Sequence, residues 1–211
     1  MTVKNYCAPL TQEEAERFTP FLFELLEASF EQIAPRFLQG IKVDDKANGT
    51  PVTQADKCAE AAMRKLIEER YPTHGIFGEE YGIKEGQETE GVRYRWILDP
   101  VDGTRSFITN SFLFGTLVAL ERDDGAGFRP ILSSVSHPAA RVRTIGSLSG
   151  TQLYYDNGLK PMVRDLRVRP CDHLSQATLL TTSHWTTPEQ KGDVRMQKII
   201  DSVKLYRTFG D

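Results

Sequence analysis

Two acidic pairs, each directly after a short apolar run, are the residues of this chain whose type and spacing could do chemistry. Asp99 and Asp102 stand in DPVDGT after Trp96-Ile97-Leu98, and Glu79 and Glu80 follow Ile76-Phe77-Gly78. In DPVDGT, Pro100 stiffens the exit from a strand and Gly103 lets the backbone approach a ligand closely. The amides that follow can open a helix whose N-terminus takes an anion. Asp99 and Asp102 can then hold hard cations beside that anion, the oxygen-ligand chemistry of Mg²⁺ next to a phosphate. Read singly, each motif has an ordinary alternative. DPVDGT is also a plain turn, GEE a solvated acidic loop, and Asp56, three residues after Thr53, the N3 acid of a capped helix favoured by the macrodipole. If Asp56, Glu79, Glu80, Asp99 and Asp102 converge, each like-charge pair at about 4 Å costs about 4 kcal/mol at an effective dielectric of about 20. Protons or cations would have to relieve that, which implies two or three divalent ions.

Other hydrolytic chemistries lack their residues. A covalent aspartyl-phosphate enzyme carries D-x-D at a strand end, whereas the spacing here is D-x-x-D. His74 and His137 lie beside turns, and His173 and His184 have no spaced partner, so each reads as a surface or hydrogen-bonded structural histidine. Ser106 has no G-x-S-x-G setting, and a serine triad has little support.

The elements that must position these acids are legible from periodicity. Thr11 with Glu14 has capping-box spacing, and Phe18, Leu22, Leu25, Leu26, Ala28 and Ile33 give a helical face interrupted by Pro20 and ended near Pro35. IKVDDKANGTP reads as a turn or short hairpin. A second helix starts at Thr53, buries Cys58, Ala59, Ala62, Leu66 and Ile67, and closes at Pro72. Strands are expected at GIFGEE, RYRWILD, FGTLVALER, PILSSVSH, ARVRTIG and TQLYYD, mostly antiparallel because several are tightly turned. After them an extended ATLLTTS, a helix beginning at Pro188 and a strand KLYRT predict a parallel strand–helix–strand unit. The expected organisation is α/β (α+β) in two portions, residues 1–150 and 151–211, divided between Gly146 and Gly158. The first would carry the metal and phosphate site.

Composition narrows the partners. The chain has 211 residues, 39% of them hydrophobic, and a net charge of −3, with a pI near 5.9. Its basic residues are scattered among acids, which disfavours nucleic acid or an anionic membrane and favours a small or metal-bound substrate. Cys7, Cys58 and Cys171 are odd in number and far apart, suggesting neither a disulfide framework nor a thiolate zinc site but a reducing cytoplasm. MTVKNYCAPLTQEE lacks the apolar run of a signal peptide, and no stretch approaches a membrane span in length.

At this point a resemblance becomes specific. Lys46 with PVTQADKCAE, then GEE, then WILDPVDGTRSF and FGTLVAL resemble the inositol monophosphatase family in order and spacing, from about residue 12 onwards, and within it the bacterial histidinol-phosphate phosphatases. The resemblance implies a layered α/β/α/β/α fold with an antiparallel N-terminal sheet, a cytoplasmic homodimer, and lithium-sensitive hydrolysis of phosphate monoesters with two or three Mg²⁺. It implies metal ligation by Glu79, Asp99 (bridging), Asp102 and the Val101 carbonyl. Thr104, assisted by Asp56, would orient the attacking water, Glu80 would support it, and the Gly103 and Thr104 amides would hold phosphate. Arg207, Gly210 and Asp211 resemble the R-x-x-G-D stretch of the histidinol phosphatases, which makes Asp211 a ligand for a substrate amine. The family's W/Y-D-x-A-A-type motif does not occur in the sequence, so the C-terminal α/β portion is expected to be truncated.

Three functional expectations follow. The first is hydrolysis of histidinol phosphate, a step of histidine biosynthesis. The second is hydrolysis of inositol-1-phosphate or another polyol or nucleotide phosphate at the same site. The third is a truncated, inactive relative that acts as a binding subunit.

Overall fold

The chain enters its first helix through Thr11. Thr11 Oγ1 accepts from the Glu14 amide at 3.2 Å, and the Glu14 carboxylate accepts from the Thr11 amide at 2.8 Å, the reciprocal pair that the T-x-x-E spacing predicts. The computed structural model describes residues 6–40, 43–45, 51–156, 158, 161–181 and 194–208. Helix α1 (Gln12–Ile33) runs through Pro20 without a break, contrary to the interruption expected there. A mid-helix proline costs about 3 kcal/mol. Phe18, Phe21, Leu22, Leu25, Leu26 and Ile33 are all buried along α1, and each such side chain contributes about 1.5–3 kcal/mol, so packing outweighs the local penalty.

Strands β1 (Val43–Asp45) and β2 (Pro51–Thr53) pair antiparallel as the expected short hairpin. Thr53 then caps α2 (Gln54–Arg70) with a second capping box, closed by Asp56. The buried stripe of α2 is Ala55, Asp56, Ala59, Glu60, Met63 and Ile67. This corrects the expected face, since Cys58, Ala62 and Leu66 lie at its margin, half-buried. The apolar count misplaced the stripe because two of its members are acids.

The sheet that follows has eight strands: β3 (Gly75–Gly78), β4 (Gly82–Lys84), β5 (Arg93–Asp102), β6 (Gly115–Asp123), β7 (Arg129–His137), β8 (Val142–Ser147), β9 (Gly150–Asp156) and β10 (Pro161–Leu166). Their spatial order is β10-β9-β8-β7-β6-β5-β3-β4. Neighbours are antiparallel except β3 and β5, which run parallel. Strands β4 and β10 were not foreseen; both are short edge strands without an apolar alternation, β10 largely exposed and β4 with only Ile83 exposed. One sheet face, through Trp96, Leu98, Val118, Leu120, Ile131 and Leu132, forms a single core with α1 and α2.

The chain divides into two compact units, residues 1–166 and 167–211. The division falls after β10 rather than near residue 150, because the β9–β10 hairpin continues the large sheet through β8. In the second unit β11 (Thr178–Thr181) and β12 (Leu205–Thr208) pair parallel, with α4 (Val194–Ser202) in their connection. That is the parallel strand pairing expected from the sequence; the expected helix start at Pro188 lies outside the described residues. Among the described residues no helix is long and apolar enough to cross a membrane.

Candidate functional site

The acids meet because β3 and β5 are parallel. Parallel neighbours finish at the same sheet edge, so the residues after both strands emerge side by side. The register pairs Gly78 with Leu98, and the Glu79 amide donates to the Leu98 carbonyl at 3.1 Å. The next residue on each strand is therefore Glu79 on one and Asp99 on the other, close enough for the Glu79 carboxylate to push the Asp99 carboxyl up.

Beyond Asp99, β5 bulges. Asp99 faces Leu117 and Asp102 faces Gly115, so three steps along β5 match two along β6, and Pro100–Val101 bows out of the ladder. The Pro100 carbonyl freed by this bulge accepts from Thr116 Oγ1 at 2.8 Å, and Thr116 is in turn 3.3 Å from Ser29 Oγ on α1. Both hydroxyl residues are buried. Nothing in the motif itself flagged Ser29 or Thr116; a polar residue at a helix-face position otherwise filled by leucine is the only sequence signal. Gly103 takes the left-handed conformation, φ 83°, and turns the chain into α3 (Thr104–Ile108). Phe107 and Phe114 then anchor this turn in a second core with Val101, Ile33, Ala55 and Ala59. The expected helix does open after Gly103, but with only five residues α3 supplies little macrodipole, so any anion binding rests on the turn's own amides.

Asp56 joins from α2. One of its oxygens accepts from the Thr53 amide at 2.9 Å and the Thr53 hydroxyl at 2.6 Å, which fixes the carboxylate's orientation. Its other oxygen lies 3.5 Å from Thr104 Oγ1, while Thr104 Oγ1 donates more closely, at 3.1 Å, to the Val101 carbonyl. One carboxylate thus both closes the cap of α2 and faces Thr104.

The electrostatics centre on Asp99. Burial pushes its carboxyl up to about 8, with the Glu79 charge and the charges of Asp102 and Asp56 acting in the same direction. Asp99 Oδ1 is buried with no hydrogen-bond partner. Glu79 and Asp102 are exposed, and Glu80 is half-buried. The donor chemistry suits a hard cation: an orphaned oxygen on Asp99, the neighbouring Glu79 carboxylate, and a backbone carbonyl at Val101 two residues on. Among the described residues no three His, Cys, Asp or Glu side chains stand close enough to enclose an ion by themselves. Mg²⁺ does not ask for that, since it usually keeps water and substrate oxygens beside one or two carboxylates.

Glu60, one turn beyond Asp56, was not assigned a role from sequence. It is fully buried, and its carboxylate accepts from the Glu80 amide at 2.7 Å and the Tyr81 amide at 3.1 Å. Its signal was available as an acid in the middle of an otherwise apolar helix face. Asp211, Gly210 and Lys46 lie outside the described residues.

Comparison with known proteins places this geometry. The model of the inositol monophosphatase family matches residues 14–210. The chain is 36% identical over 198 residues to the chloroplastic bifunctional phosphatase IMPL2 of Arabidopsis thaliana, covering 93% of this chain and 53% of that one. It is 31% identical over 173 residues to a histidinol-phosphatase of Mycobacterium tuberculosis, covering 81% of this chain and 62% of the relative. The chain therefore spans roughly half to three fifths of the length of these curated relatives. An inositol monophosphatase structure from Zymomonas mobilis superposes with a TM-score of 0.71 at 34% identity, over 93% of this chain and 70% of that one.

Proposed function

This chain belongs to the inositol monophosphatase family, and on that premise we propose that it carries the site of a Mg²⁺-dependent phosphomonoesterase acting on histidinol phosphate. The observation that supports this most is the Glu79–Asp99 pair at two parallel strand ends, with an unpartnered Asp99 oxygen beside the Val101–Thr104 turn. A phosphate dianion could not enter a group of Asp99, Glu79, Asp102 and Asp56 unaided, since each charge pair at about 4 Å repels by about 4 kcal/mol. Glu79, Asp99, Asp102 and the Val101 carbonyl are the ligands proposed for the cations. When bound, Mg²⁺ supplies neutralisation of the phosphate charge and a water of lowered pKa.

The chain's own residues do the positioning. The Thr104 hydroxyl has one proton to donate, to the Val101 carbonyl or to Asp56. Donating to Asp56 leaves a lone pair on Thr104 Oγ1 that can accept from the attacking water and aim it. Asp56 can hold that role because its far oxygen is locked by Thr53. The amides of Gly103 and Thr104, which open α3 and so have no intrahelical acceptor, would hold the phosphate oxygens. Glu80 would support the water from the neighbouring strand end. A cytoplasmic homodimer belongs to the same reading.

The test is phosphate release by the 211-residue chain from histidinol phosphate, inositol-1-phosphate and a nucleotide monophosphate, with and without Mg²⁺. Mg²⁺-dependent turnover that is highest on histidinol phosphate and lost in D99N is expected. Preference for inositol-1-phosphate would keep the site and change the substrate, and no turnover on any ester would overturn the proposal.

A further inference from the structure

Glu79 and Glu80 are adjacent, so their side chains cannot both meet Asp99 in the same way; something must index the turn that carries them. Four contacts do so. Glu60 takes the Glu80 amide on one oxygen and the Tyr81 amide on the other, at 2.7 and 3.1 Å. Arg64 Nε donates to Glu60 at 2.7 Å, and the Arg64 guanidinium also donates to the Gly82 carbonyl. The strand residue ahead of the turn is Gly78, where a Cβ would lie 1.8 Å from a Glu60 oxygen. The turn from Gly78 to Gly82 is therefore moulded around one carboxylate.

A buried, fully desolvated carboxylate is costly unless every donor around it is used. Glu60 meets that condition with three donors, which leaves its oxygens committed to the turn rather than to a ligand. It sits four residues after Asp56 on the same buried stripe of α2. The helix that places Asp56 beside Thr104 thus also holds the turn that places Glu79 beside Asp99.

We propose that Glu60, braced by Arg64, is a positioning residue for the cation site: it locks the Glu79–Tyr81 turn to α2 so that Glu79 rather than Glu80 is delivered to Asp99. The proposal rests on the phosphomonoesterase reading of that site. Removing one acceptor from Glu60 lets the turn rotate, and the acids then reach Asp99 in mixed arrangements. A role confined to packing would lower stability without changing the affinity of the folded molecules for a cation.

E60Q in the 211-residue chain separates these outcomes. Its amide nitrogen cannot accept from a backbone N–H: in place of Oε2 it deprives the Glu80 amide of its acceptor, and in place of Oε1 it deprives the Tyr81 amide and faces Arg64. Mn²⁺ binding is read by electron paramagnetic resonance of the free ion, and amide hydrogen exchange is followed at Glu80 and Tyr81. Expected are a loss of Mn²⁺ affinity of about tenfold or more per folded molecule and faster exchange at both amides. D99N serves as the control that removes binding. A folded E60Q that binds Mn²⁺ as tightly as wild type overturns the positioning role and leaves the functional reading standing. Wild type that binds no Mn²⁺ overturns the functional reading, and this inference with it. If E60Q does not fold, R64K is read by the same criteria, because a lysine keeps the charge but cannot span Glu60 and the Gly82 carbonyl with one planar group.

Discussion

Replacing Asp99 by Asn should stabilise the metal-free protein at alkaline pH while abolishing phosphate release. Burial, the neighbouring Glu79 and the charges of Asp102 and Asp56 hold the Asp99 carboxyl up at about 8, against an ordinary 3.8. The folded chain then keeps a proton that the unfolded chain releases. Stability is therefore greatest below about pH 4, falls as pH rises through the interval to about 8, and levels off above it. At about 1.4 kcal/mol per tenfold change in proton affinity, the interval corresponds to about 6 kcal/mol for a fully desolvated group. Asp99 is only half-buried, and solvent screening reduces the effect to about 2–3 kcal/mol. Urea unfolding in EDTA at pH 5, 7 and 9 should show D99N gaining that margin over wild type at pH 9 and little at pH 5. Mg²⁺ at 100 times its Kd should return about 2.7 kcal/mol to wild type and almost nothing to D99N. Equal or lower stability of D99N at pH 9 without metal would refute the reasoning, since the cluster would then not be under electrostatic load.

The remaining expectations concern the frame around that cluster. Burial, with the Arg17 charge, holds the His74 imidazole down at about 4, so its contribution is complete above pH 6.5 and is lost as pH falls towards 4; an NMR titration with a His74 midpoint near 6.5 would contradict this. Trp96 is fully buried and donates from Nε1 to His74 Nδ1 at 3.1 Å, so W96A should cost about 3–5 kcal/mol in chemical denaturation. T104A should lower kcat by about 10²-fold or more, with T104S recovering most of it because the donation to Asp56 and Val101 needs only the hydroxyl; equal rates for the two variants would remove Thr104 from the mechanism. Asp56→Ala should cost about 1–2 kcal/mol through the lost cap in addition to activity, separable by comparing melting with turnover per folded molecule.

Local signals in the sequence were strong enough to locate both long helices, their caps, six of the eight strands of the large sheet and the two strands of the second unit. Thr11 with Glu14 and Thr53 with Asp56 are closed within four residues, and no distant packing is needed to realise them. Pro20 was misread because its local penalty is opposed by burial contributed from strands far away in the chain. The face of α2 was misread for a related reason. Asp56 and Glu60 look like solvent residues until the Thr104 hydroxyl and the Glu80 and Tyr81 amides are brought to them, across 48, 20 and 21 positions.

The site itself was half legible. Each acid pair could be seen at a strand end, but strand ends meet only if the strands run the same way, and a pattern of tight turns that argues for mostly antiparallel neighbours does not say which pair is parallel. Strand β4 resolves this. It folds back on β3 as a hairpin and takes the outer edge, leaving the inner edge of β3 for β5 in parallel. Had β5 paired antiparallel with β3, Glu79 and Asp99 would have emerged at opposite ends of the sheet, some four residues of strand apart, about 13 Å at the usual rise. The one parallel ladder in the large sheet is thus what converts two unremarkable acidic turns into the loaded cluster that the D99N experiment probes.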